Sequence, residues 1–203
     1  METKREFHIN TAIKVYGEDL ITYDTVTDIG LWKPKQEEGV KAEFYDENDI
    51  LYYYWCHAIV ATMGFPDDEA DKVVNDLLKV IYHAQGKIVT ADYINEKNGS
   101  EKLMDGAKAP QPKPGAAPVD EYFINVKLTV PEDNSNIRFD VETNITGKGE
   151  TRQNRTLLYY YWSHAIAECV TFVTSKVLQD YLAKNLINTL MTAGDGMVAS
   201  IND

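Results

Sequence analysis

A nine-residue segment occurs twice in this chain. Leu51-Tyr52-Tyr53-Tyr54-Trp55-Cys56-His57-Ala58-Ile59 returns as Leu158-Tyr159-Tyr160-Tyr161-Trp162-Ser163-His164-Ala165-Ile166, and only Cys56 against Ser163 differs. Three tyrosines followed by a tryptophan do not recur by chance, so repetition is the first constraint on the fold. The match extends outward in the same order. Glu6-Phe7-His8-Ile9-Asn10 parallels Glu121-Tyr122-Phe123-Ile124-Asn125, Ile21-Thr22-Tyr23-Asp24 parallels Ile137-Arg138-Phe139-Asp140, and Thr27-Asp28-Ile29 parallels Thr143-Asn144-Ile145. Gly86-Lys87-Ile88-Val89-Thr90 matches Gly196-Met197-Val198-Ala199-Ser200 more weakly. The first copy carries an extra loop around Gly30 to Val40. We read a first repeat over 1–97, a Pro-rich linker over 98–119 and a second repeat over 120–203. The linker holds four of the chain's seven prolines and lacks apolar periodicity, as extended linkers do.

Within each copy the hydrophobic period changes from two to about 3.6. Phe7, Ile9, Thr11, Ile13 and Val15 alternate with polar residues, and Tyr122, Ile124, Val126, Leu128 and Val130 repeat the phase. Ile21, Tyr23, Thr25, Thr27 and Ile29 form a second alternation, echoed by Ile137, Phe139, Val141, Thr143 and Ile145. Gly17-Glu18-Asp19 and Pro131-Glu132-Asp133-Asn134 supply the intervening turns, so each copy opens with a hairpin. A helix follows, capped by Asn48 or Asp49 in one copy and Thr151 in the other. Gly64-Phe65-Pro66 ends the first. Asp67, Asp68 and Glu69 begin another helix, whose buried face is Ala70, Val73, Val74, Leu77, Leu78 and Ile81 and which Gly86 stops. In the second copy no Gly or Pro separates Phe172 from Val177, so one long bent helix and two helices remain open. Short strands are expected at Ile88–Tyr93 and Met197–Ile201. The expected fold is α+β: a tandem β-β-α-α-β unit whose hairpins join in one pseudo-twofold antiparallel sheet covered by helices.

Helical geometry gathers Leu51, Tyr54, Trp55, Ala58 and Ile59 into one arc against the sheet. Tyr53 and His57 fall on the far side, one turn apart, as do Tyr160 and His164. Three readings of that face compete. The following helix covers it, and each histidine is satisfied locally; it is a protein–protein surface; or the two histidines share a ligand or catalytic pocket at the pseudo-twofold. Cys56 and Cys169 read as buried free thiols in a reducing compartment. Neither a metal site nor a cofactor is expected, because the histidines lack ligands at usable spacing and no phosphate-binding or nucleophile motif occurs.

Charge narrows the partners. Of 203 residues, 20 are Lys or Arg and 32 are Asp or Glu, a net of -12, which disfavours nucleic acid and anionic membranes. No apolar run is long enough for a membrane helix, and the N-terminus does not look like a signal peptide, so the expected location is cytoplasmic or within a virus particle. Residues 1–100 hold 10 basic and 19 acidic side chains, a net of -9; residues 101–203 hold 10 and 13, a net of -3. Two unlike copies suit head-to-tail contact between subunits. The expected function is therefore that of a non-enzymatic structural or assembly protein, one subunit of a homo-oligomer or larger particle such as a virion. Trp32, in the extra loop, is its aromatic anchor. The alternative is a small-molecule-binding or enzymatic domain using Tyr53, His57, Tyr160 and His164.

Overall fold

The computed structural model describes residues 5–17, 20–29, 47–87, 111–132, 137–145, 151–170 and 176–201. Trp32, the loop around Gly30 to Val40, the Ile88–Tyr93 strand and most of the linker lie outside them. Among the described residues the architecture is α+β, with four helices and a four-stranded antiparallel sheet. In order come β1 (Arg5–Val15), β2 (Ile21–Thr27), α1 (Glu47–Ala61), α2 (Asp67–Lys87), β3 (Asp120–Val130), β4 (Arg138–Thr143), α3 (Thr151–Cys169) and α4 (Lys176–Ile201).

The strand order is β2-β1-β3-β4, so the two hairpins meet along β1 and β3. Asn10 pairs with Asn125 at the middle of that seam, and the pairing runs from Arg5 opposite Val130 to Val15 opposite Asp120. The expected alternation sets the register. Ile9, Thr11 and Ile13 face the helices beside Ile124, Val126 and Leu128, and all six are buried. Thr11 is the polar member of this face, and its hydroxyl meets that of Thr25 at 2.9 Å. Both hairpins finish in the same side-chain cap. Thr27 Oγ1 donates to the His8 carbonyl at 2.8 Å and accepts from Ile29 N at 3.1 Å. Thr143 Oγ1 does the same with Phe123 O at 2.6 Å and Ile145 N at 3.1 Å. Asp28 and Asn144 then accept from the backbone N–H of His8 and Phe123. Short polar side chains here satisfy strand-end groups that would otherwise be stranded beside the buried Ile29 and Ile145.

The helices cross between hairpins. α1 packs on β4 and α3 on β2, while α2 covers α1, α4 covers α3, and α2 meets α4. At the centre, Trp55 and Trp162 are fully buried, ring edge to ring face at 6.2 Å. Tyr52 donates from its hydroxyl to the Cys169 carbonyl at 3.1 Å, tying the start of α1 to the end of α3. Gly64 takes a φ of +74°, a left-handed conformation that turns the chain after α1.

One expectation changes, and one open alternative is resolved. The Met197–Ile201 strand is instead the last turns of α4. Five alternating residues with no partner strand gain less than they do by adding hydrogen bonds to an existing helix. Gly86 lies one residue before the end of α2 at Lys87, close to the expected stop. The second half holds two helices, with Val170 outside both.

Candidate functional site

Tyr53 and His57 sit one turn apart on α1, their rings 4.4 Å from centroid to centroid. The expectation of a face turned away from the sheet is overturned for His57. His57 lies flat over Phe139 on the inner face of β4, 5.9 Å away with planes 9° apart. The cause is that α1 is buried nearly all round, with Tyr52 and Cys56 inaccessible as well as Trp55, so the sheet and α2 divide its circumference between them. His57 then falls to the edge strand. Burial holds its imidazole below the usual histidine range, and the nearby Asp71 carboxylate opposes that only in part. Burial and Asp71 both push the Tyr53 hydroxyl up.

The second half repeats the geometry. Tyr160 and His164 stand 4.4 Å apart, and His164 lies over Tyr23 of β2 at 6.2 Å with planes 11° apart. Its surroundings differ. Lys176 Nζ lies 2.7 Å from Asp180 Oδ1, and that same oxygen is 3.8 Å from His164 Nδ1. Burial and the Lys176 charge lower the His164 pKa against Asp180. Glu168, one turn further along α3, has its carboxyl raised above the ordinary range by burial, which outweighs the lowering effect of Lys176.

Tyr53 with His57, and Tyr160 with His164, are thus brought together as pairs, but the two pairs are not joined. They lie over opposite edge strands of a four-stranded sheet, about 14 Å apart across three strand spacings. The centre between them is filled by the two tryptophans, not by a shared pocket. The first pair instead lines its own open cleft of about 790 Å³, completed by Tyr54, Phe65, Asp67, Asp71, Phe139 and Arg138 among others. On the second pair Tyr160 remains 38% exposed, beside Leu157 at 39% on the same face of α3.

Cys56 is buried with its thiol pushed up by desolvation, and burial raises Cys169 likewise, so neither has the character of a nucleophile. Among the described residues no three His, Cys, Asp or Glu side chains are grouped as metal ligands, and no helix is long and apolar enough to cross a membrane. Sequence reasoning missed Asp67, Asp71, Asp180, Lys176 and the ring partners Tyr23 and Phe139. The four-residue spacing of Lys176 and Asp180 was a usable signal for an ion pair; the ring partners come from the opposite hairpin and left no local signal. No family model, curated protein or solved structure matches the chain.

Proposed function

We propose that the chain is a duplicated unit, with one copy within 1–97 and the other within 120–203, acting without catalysis as one subunit of a larger particle such as a virion. Support for the duplication comes from the seam. Asn10 and Asn125, which hold the same place in the two sequence segments, face each other, as a twofold axis through that pair requires. The crossed stacking of His57 on Phe139 and His164 on Tyr23 obeys the same operation. In the second half the unit reads β-β-α-α, while the corresponding strand of the first half, Ile88–Tyr93, lies outside the described residues.

The assembly reading is carried by one observation: Leu157 and Tyr160, three residues apart on α3, are two of the four large apolar or aromatic side chains left exposed among the described residues. Their counterparts on α1, Ile50 and Tyr53, are more covered. An exposed aromatic beside an aliphatic residue is the composition of an interface centre. The occupant is a second copy of the chain, offering its more acidic first half to this less acidic second half. Sedimentation across a wide concentration range tests this. Wild type should form assemblies, and a Leu157→Lys, Tyr160→Lys variant of unchanged circular dichroism should stay monomeric. A wild-type protein that is monomeric throughout overturns the proposal.

A further inference from the structure

The open cleft beside Tyr53 and His57 has rings for a floor and carboxylates for a rim. Phe139 and His57 stack, and Tyr53 meets His57 at a tilt of 59°, so the three rings adjoin along it. Asp67, Asp71 and Asp140 line it against one cation, Arg138. No Lys or Arg pairs with Asp67 or Asp71 among the described residues.

The second half shows how such a floor is completed. The buried stripe Val73, Val74, Leu77 and Ile81 of α2 has the spacing of Leu182, Ala183, Leu186 and Leu190 of α4. Laid on that register, Asp71 falls where α4 has Asp180, and Asp67 falls where α4 has Lys176. The electrostatics agree, since Asp71 acts on His57 as Asp180 acts on His164. In the second half an ammonium group from the chain itself sits 2.7 Å from the carboxylate beside the histidine. In the first half that position carries another carboxylate, and no ammonium group takes the place of Lys176 among the described residues.

We propose that the cleft over Tyr53 and His57 binds a primary alkylammonium group, received by Asp67 and Asp71 with its alkyl stem along the aromatic floor. Carboxylates accept the N–H groups in charge-assisted hydrogen bonds. Ring faces attract the cation and cover the methylenes. The imidazole is held neutral by its burial and so does not repel the ligand. The ammonium is that of a free amine or of a lysine on another copy of the chain. The site does not depend on whether copies assemble, because every group named belongs to one chain.

The probe is n-butylammonium chloride, titrated into the full chain and followed by calorimetry and by the His57 ring signals in NMR. Neutral n-butanol and matched potassium chloride are the controls. Saturable binding of one amine per chain is expected, with none for the controls. Asp71→Asn should weaken it about tenfold, the loss of one charged acceptor. Asp67→Lys, which copies the arrangement of the second half, should abolish it. Lys176→Asp should raise the stoichiometry to two. Asp67 and Asp71 are exposed, and unchanged circular dichroism verifies the fold of each variant. Equal binding of n-butanol, or unimpaired binding by Asp67→Lys, overturns the proposal. Where binding holds, sedimentation separates the sources: an amine that dissolves assemblies displaces a neighbour's lysine, and one that leaves the mass unchanged fills a site for free amines.

Discussion

The same aromatic segment stands in two settings, and the ring geometry is almost indifferent to the change. Tyrosine to histidine is 4.4 Å in both, and each histidine lies nearly parallel to an aromatic ring on the edge strand of the other hairpin. What differs is the first turn of the helix that follows. α2 opens with Asp67, whereas α4 opens with Lys176, which pairs with Asp180. A shared scaffold therefore sets where the rings go, and a single charge reversal sets whether the site completes itself or stays open. The difference teaches that position and chemistry were encoded separately: the first by the repeated segment, the second by residues outside it.

The largest effect should come where the two halves are alike. Trp55→Ala and Trp162→Ala each remove a fully buried indole from the central contact. Each should cost about 3–5 kcal/mol, and the two costs should agree closely if the seam is symmetric. The coupling between them, read from the double variant in urea unfolding, should be about 0.5–1.5 kcal/mol. A large effect at one tryptophan and a negligible one at the other would break the equivalence.

A smaller effect tests the single mismatch in the repeated segment. Cys56 and Ser163 are both fully buried, but Ser163 Oγ has no hydrogen-bond partner among the described residues. Cys56→Ser should destabilise by about 1–2 kcal/mol, the penalty for an unsatisfied hydroxyl. Ser163→Cys should be neutral or stabilising by up to about 1 kcal/mol for the same reason. Urea midpoints measure both. A stabilising Cys56→Ser would show that the two pockets are not equivalent.

How far these contrasts were legible in the sequence depends on the range of the interaction. The strand faces were legible, because Ile9, Thr11 and Ile13 alternate with Asn10 and Ala12 and the pleat sends them to opposite sides. Tyr53 beside His57 was legible from helical spacing alone. The crossing was not: that His57 would lie on Phe139, and His164 on Tyr23, depends on how α1 and α3 meet the sheet, which no local period records. Met197–Ile201 was misread because a short alternation of apolar residues also fits the end of a helix stripe, and only the tertiary setting of α4 decides.

The smallest effect, and the one most sensitive to the difference between the sites, is the response to acid. Both histidines have native pKa values lowered from 6.5, by burial first and, for His164, by Lys176 next. The unfolded chain therefore binds protons that the native chain refuses once pH falls below about 6.5, so stability declines from there through the lowered native values. Asp71 and Asp180 each offset part of this at their own histidine. Glu168 works in the opposite sense: its native pKa is raised from 4.5, so the stability it contributes is present at low pH and lost as pH rises through that raised value. It would mask the histidines in the same window, and the measurement belongs in a Glu168→Gln background. There His57→Phe, which keeps a ring over Phe139, should flatten the slope of stability against pH. His164→Phe should flatten it too, and adding Lys176→Met to a chain that retains His164 should lessen that histidine's share, because one of its two opposing influences is gone. If neither histidine replacement alters the slope between pH 6.5 and about 5, the imidazoles titrate alike in the native and unfolded chains, and burial is not what governs either site.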